Sequence, residues 1–284
     1  MKYLNFFDPF KSKTFCTCER KYTINPYTGC SHKCSYCYIT SYIKDGFQIR
    51  FKKNFIEKLK KDIEKIKEKY PVNLSSSSDP YPKIESFMFL TRRTLLLLKE
   101  NNFKISIITK SPLVLRDIDI IKEVNATVSF TITHYSDEIA SKVEINAPPV
   151  RERIEAAKKL LKEKVKVCVR IDPIIPLYND KREVIRNILK NLEGIFMVVF
   201  STYKAKPDNF LRIKKTFPYI ENLPWEKKVL RGYRYLSYDY RRELLEEFVE
   251  EARNYTEKIG LCREGIDNLK NTVSCDPVFE VNFS

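Results

Sequence analysis

The sequence predicts an α/β fold, a parallel sheet of six strands whose crossovers are helices. Three observations carry this. Strand-like and helix-like segments alternate from residue 21 to residue 216. The connections between successive strands are long enough to hold a helix, as parallel pairing requires. The polar, chemistry-bearing residues fall together just after the strands, and in α/β barrels that end of the sheet carries the site. Six units fall short of a closed eight-stranded barrel.

Residues 1–21 read as irregular, with Asp8-Pro9 as a breaker. Lys21–Asn25 is the first expected strand, closed by Pro26, and Phe47–Phe51 is a brief extended piece. Asn54 is the expected cap of a helix running to Lys69, with Phe55, Leu59, Ile63 and Ile66 at helical spacing. The series continues as strand Val72–Ser77, helix Ile84–Asn101, strand Lys104–Thr109 and helix Leu113–Val124. Strand Ala126–Thr133, helix Val150–Lys164 opened by Pro148-Pro149, and strand Val165–Ile171 follow. Helix Lys181–Leu192, strand Phe196–Thr202 and a short helix Asn209–Thr216 complete it. Residues 218–284 break the pattern, with a long amphipathic helix expected over Tyr238–Ile259. The organisation expected is an N-terminal arm (1–21), a core (22–217) and a C-terminal extension (218–284).

At 284 residues and 43% hydrophobic composition, the chain can bury a large core. No segment reaches the roughly 18 consecutive apolar residues of a membrane span, and the N-terminus lacks the apolar run of a secretory signal. These features predict a soluble cytoplasmic protein with no membrane partner. Eight cysteines in such a chain point to metal ligation rather than disulfides. An excess of 52 Lys+Arg over 37 Asp+Glu, net +15, favours an anionic partner, nucleic acid before a membrane surface. The segment 219–241 interleaves aromatic rings with Lys227, Lys228, Arg231 and Arg234, the residue types that stack on bases and meet phosphates.

Cys30, Cys34 and Cys37 form a C-x3-C-x2-C motif on one short loop. Thiolate is the ligand of iron–sulfur clusters. Three thiolates on a four-iron cubane leave one iron without a protein ligand, and an open position marks a metal that does chemistry. Gly29 lets the backbone turn into the loop, and Tyr36 and Tyr38 can shield the cluster edge. A zinc site with His32 as fourth ligand is the rival, at a spacing far from the usual one.

With the words around it, this motif resembles the radical S-adenosylmethionine superfamily. Ile24-Asn25-Pro26-Tyr27-Thr28-Gly29-Cys30, Ser78-Asp79-Pro80-Tyr81, Thr109-Lys110-Ser111-Pro112-Leu113 and Arg116-Asp117 look like the branch related to spore photoproduct lyase, a DNA repair enzyme. The resemblance runs to Arg170-Ile171-Asp172-Pro173. It implies a partial (β/α)6 TIM-like barrel, open on one side, and a [4Fe–4S] cluster on Cys30, Cys34 and Cys37. It also implies S-adenosylmethionine, cleaved by an electron to a 5′-deoxyadenosyl radical that abstracts hydrogen from substrate, and an electron donor such as ferredoxin or flavodoxin. An open barrel mouth admits a polymer that a closed one excludes.

Lys110 is the expected partner of the cofactor carboxylate, and Tyr36 belongs to the same surroundings. Arg170 at a strand end needs an anion. Ser77 and Asp79 can hydrogen-bond the ribose or amino group, although an Asp-Pro turn explains Asp79 equally. Ser129, Thr131 and Thr133 share one face of the fourth strand. Cys168 is the candidate hydrogen donor, but no cysteine between Cys37 and Cys168 matches the donor of the photoproduct lyases. His134 can reach substrate from a strand end. Cys16, Cys18, Cys262 and Cys275 make two pairs from opposite chain ends, the number needed for a second iron–sulfur cluster or a zinc site. Three functions follow from this reading: a radical enzyme on nucleic acid, one on a peptide or small metabolite, or a zinc-holding nucleic-acid binder.

Overall fold

A computed structural model describes residues 3–11, 14–75 and 77–281. Ser76, expected at the end of the second strand, lies outside the described residues. In chain order the elements are β1 (Asn5–Phe7), β2 (Lys21–Ile24), β3 (Tyr27–Thr28), β4 (Arg50–Phe51), α1 (Phe55–Ile63), β5 (Val72–Leu74), α2 (Glu85–Met88) and α3 (Leu90–Glu100). Next come β6 (Ile105–Thr109), α4 (Ile118–Glu123), β7 (Ala126–Thr131), α5 (Asp137–Ser141), α6 (Val150–Lys162), β8 (Lys166–Ile174) and α7 (Arg182–Leu189). The chain ends with β9 (Met197–Thr202), α8 (Pro207–Thr216), α9 (Tyr238–Ala252) and β10 (Ile259–Leu261).

One eight-stranded sheet, in the order β1-β2-β5-β6-β7-β8-β9-β10, forms the wall of a partial barrel that does not close. The six expected strands pair in parallel. Their interiors read as continuous buried runs, as strands covered on both faces do. Ile24, Leu74, Ile107, Phe130, Ile171 and Phe200 have no solvent exposure. Each such side chain contributes about 2 kcal/mol through burial.

Two strands of this sheet were not legible in the sequence. β1 pairs antiparallel with β2, Asn5 opposite Thr23. β10 pairs in parallel with β9, Ile259 opposite Val198. Each is only three residues long, too short to show a period, and each is specified by an edge already in place. The arm and the extension therefore both contribute a strand to the sheet.

Helices depart from expectation where apolar contact runs out or the backbone breaks. α1 stops at Ile63, after which the Lys/Glu-rich stretch to Lys69 offers only Ile66 to the core. Asn54 takes a left-handed φ of 55° and its side chain makes no capping bond. The single helix expected over Ile84–Asn101 is two, broken at Phe89, whose φ is 52°. The segment after Ser111 begins as a 3-10 turn, Pro112–Asp117, before α4. α9 ends at Ala252 so that the chain can return as β10. No helix among the described residues is long and apolar enough to cross a membrane.

Candidate active site

The loop Cys30–Cys37 leaves β3 through Gly29, whose φ is 84°. A Cβ there would stand 2.0 Å from the Gln48 carbonyl oxygen, so the position needs glycine on two counts. Backbone bonds then pin the loop. Cys30 N donates to Gly46 O (2.8 Å), Ser35 N to Val143 O (2.7 Å), and Asn146 N to His32 O (2.9 Å). From α8, Asn209 Nδ2 donates to Tyr36 O at 2.8 Å, and Arg212 Nη2 donates to Cys37 O. A helix near the end of the barrel thus holds the carbonyls of a loop near its start.

Beneath the loop lies a buried charge pair that sequence reasoning missed. Arg153 Nη1 meets Glu144 Oε2 at 2.5 Å, and both side chains are 1% exposed. Tyr36 OH donates to the other carboxylate oxygen. Lys110 Nζ stands 4.0 Å from Glu144 and 5.5 Å from the centre of the Tyr36 ring. Burial alone would raise the Glu144 carboxyl, but the Arg153 and Lys110 charges outweigh it and hold it below the usual carboxylate range. Burial works against the Lys110 ammonium, yet Cys34 and Glu144 keep it above its ordinary value. Nothing in the stretch around Glu144 marked it; a single acid next to Val143 looks like a surface residue.

The three loop cysteines line a cavity of about 310 Å3 at the mouth of the barrel, with Lys110, Tyr36, Ser77, Asp79 and Arg170. Asp79 is saturated by the strand ends: it accepts from Thr109 Oγ1 (2.7 Å), Lys110 N (2.7 Å) and Tyr81 N (2.9 Å). It orders the cavity rim. Ser77 Oγ donates to Asn25 Oδ1 at 3.1 Å. Arg170 donates to Cys275 O (3.0 Å) and Asp172 (3.1 Å), so its anion comes from its own strand.

Three groups of candidate residues lie wholly or partly away from the cavity. Ser129 and Thr133 are fully buried with unpartnered hydroxyls and do not line the cavity; of that face only Thr131 reaches it. Cys168 is fully buried in a cluster with Cys18, Met197 and Cys275 and lies outside the cavity lining. His134 accepts from Ser136 N at 3.0 Å, stacks on Tyr135 and stays outside the cavity.

The four remaining cysteines meet across the chain ends. Cys18 and Cys275 are buried with their sulfurs 3.4 Å apart, and Cys16 and Cys262 pack on the same cluster. All are free thiols. Cys18, Cys262 and Cys275 line the same cavity as the loop cysteines. The Lys21–Asp276 pair, at 2.6 Å, sits beside them. Among the described residues no three His, Cys, Asp or Glu side chains close on one point as the ligands of a single ion do.

A family model described as the radical SAM superfamily matches residues 24–190, more than half of the chain. The chain belongs to the radical SAM superfamily. The protein MJ0683 of Methanocaldococcus jannaschii is 32% identical to this radical SAM protein over 205 residues, 70% of this chain and 77% of its own. In fold it is similar to a spore photoproduct lyase mutant with bound AdoMet and dinucleoside spore photoproduct (TM-score 0.65, 17% identity, 84% of this chain and 75% of that one). SuiB of Streptococcus suis, bound to its precursor peptide SuiA, gives a TM-score of 0.57 at 14% identity, covering 92% of this chain and 52% of that one. At these identities the likeness to solved structures shows the fold alone.

The superfamily implies a [4Fe–4S] cluster and S-adenosylmethionine, and the site fits both. Three thiols face one cavity, and its wall holds Asn73 Oδ1, Ser75 Oγ and Asp276 Oδ1, buried atoms without partners that a polar ligand would satisfy. Burial pushes the Cys30 and Cys34 thiols up to about 12 and the Cys37 thiol to about 11. They are protonated at neutral pH until a metal displaces the protons.

Proposed function

We propose that this radical SAM protein is an enzyme acting on nucleic acid, by repair or modification of a base or sugar. In this reading Cys30, Cys34 and Cys37 hold a [4Fe–4S] cluster and Lys110 receives the carboxylate of S-adenosylmethionine. When bound, the pair supplies reductive cleavage of the sulfonium to a primary carbon radical that takes hydrogen from substrate. The chain's own part is to orient and enclose. Arg212, Asn209 and residues 143–146 hold the loop carbonyls in place. The Glu144–Arg153 pair fixes Tyr36 and holds a negative charge near Lys110. Tyr36, Tyr38 and Tyr42 wall the cavity and exclude water from it.

The observation that carries the reading is that three loop thiols and Lys110 share one cavity at the open mouth of a partial barrel. A net charge of +15 supports nucleic acid as the partner. The fold's likeness to a lyase solved with a dinucleoside lesion agrees with it. The likeness to SuiB with its peptide is the ground for the second reading, a peptide substrate. Cys16, Cys18, Cys262 and Cys275 are proposed to hold a second iron–sulfur cluster, with zinc as the alternative.

Anaerobic purification is expected to give a brown protein that cleaves S-adenosylmethionine with dithionite and binds single-stranded oligonucleotide in a salt-sensitive way. A colourless zinc protein would overturn the enzyme. A brown, cleaving protein that binds the peptide class and no oligonucleotide would overturn the substrate.

A further inference from the structure

The cations that line the cavity are compensated with one exception among those shielded from solvent. Lys21 meets Asp276 at 2.6 Å, Arg170 meets Asp172 at 3.1 Å, Lys204 meets Glu264 at 2.5 Å, and Lys110 lies 4.0 Å from Glu144. Arg263 has no carboxylate within ion-pair distance among the described residues. Its Nε is buried without a hydrogen-bond partner, and its guanidinium lies 4.2 Å from the centre of the Tyr233 ring. The Tyr233 and Tyr235 side chains meet this guanidinium, but a sheltered fork without an anion leaves part of its desolvation uncompensated, a cost that a ligand anion would offset.

The backbone aims this residue. Arg263 has a φ of 59°, a left-handed conformation that a long side chain adopts at a cost. It lies two residues past the end of β10, next to Cys262, and it lines the cavity with Tyr38 and Tyr42, the rings flanking the cysteine loop. Tyr38 in turn meets Tyr233 edge-on, with ring centres 5.5 Å apart. Lys110, beside Tyr36 and Glu144, is the cavity cation given to the cofactor carboxylate. Arg263 stands among tyrosines.

We propose that Arg263 is the receptor for a substrate phosphodiester, with the flanking tyrosines taking the adjoining bases. The inference rests on the nucleic-acid reading above and names the residue that selects the substrate's charge. A planar fork bound in bidentate fashion to phosphate, beside aromatic faces, is the recognition chemistry this arrangement offers.

The test uses the full-length, iron-loaded protein with a labelled ten-residue thymidine oligonucleotide, followed by fluorescence anisotropy across a salt series. Arg263→Gln is expected to weaken binding about tenfold or more, the loss of one charge-assisted contact. It should also lower the magnitude of the salt slope by about 0.7, the value for one phosphate of a single strand. Arg263→Lys should recover part of the affinity. S-adenosylmethionine binding, measured by equilibrium dialysis, should change less than twofold. Iron content and circular dichroism equal to wild type show that each variant is folded. If wild type binds the oligonucleotide and Arg263→Gln binds it equally well, the receptor assignment is wrong while the nucleic-acid reading stands. Loss of S-adenosylmethionine binding instead would make Arg263 a cofactor anchor and overturn the assignment. A wild type that ignores the oligonucleotide, or binds only an acidic peptide through Arg263, would remove the nucleic-acid reading and this proposal together.

Discussion

Replacing Glu144 by alanine strips the carboxylate from a guanidinium that has no access to water. Arg153 would keep only carbonyl acceptors, Pro148 O at 2.9 and 2.6 Å and Thr131 O at 3.1 Å. Breaking a buried pair by removing one partner costs about 3–5 kcal/mol, because the remaining charge stays desolvated. For a chain of this size, roughly 2 °C of Tm accompanies each kcal/mol, so the melting temperature should fall by roughly 6–10 °C. The loss should also reach the loop, because Tyr36 loses its acceptor. Thermal melts followed at 222 nm, with iron content measured on the same anaerobic samples, read both effects. The double variant Glu144→Ala/Arg153→Met separates charge from packing, since removing both partners leaves no stranded ion; it should recover most of the lost stability. If Glu144→Ala melts within about 2 °C of wild type, or the double variant is no better than the single one, the buried pair is not what supports the loop.

Gly29→Ala puts a side chain 2.0 Å from Gln48 O at a φ of 84°, and should lose iron on purification. The conformation alone should cost at least about 1–2 kcal/mol; normal iron content and Tm would contradict it. Cys30→Ala should abolish S-adenosylmethionine cleavage, and turnover surviving it would dissociate the loop from the chemistry. Cys275→Ser should lower total metal, measured for iron and zinc together, while the roughly four irons of the first cluster remain; unchanged metal content would exclude a second centre there. Burial holds the His134 imidazole below its ordinary value, so the folded state prefers it neutral. Its contribution is complete above the unfolded value near 6.5 and is lost as pH falls towards the folded one. His134→Asn should therefore flatten part of the wild-type fall in Tm between about pH 7 and pH 5, and identical slopes would refute the assignment.

The sequence alone determined the sheet's six parallel strands and the three-cysteine loop, because both are written in local signals. A buried parallel strand is an apolar run bounded by turn residues, and C-x3-C-x2-C is a spacing on one loop. It also supplied Gly29, fixed by its place beside the motif, and the family resemblance pointed to Lys110, which lines the cavity. Only the tertiary structure decided which strand-end residues reach the cavity. Alternation put Ser129, Thr131 and Thr133 on one face, but Ser129 and Thr133 are fully buried, which leaves Thr131 alone at the surface of the cavity. Glu144 and Arg153 became partners across nine residues of loop and helix, and Asn209 and Arg212 reach back more than 170 residues to the cysteine loop. β1 and β10 exist because an edge was waiting for them. Pairings of this kind depend on where the chain returns in space, and no period or local spacing encodes that.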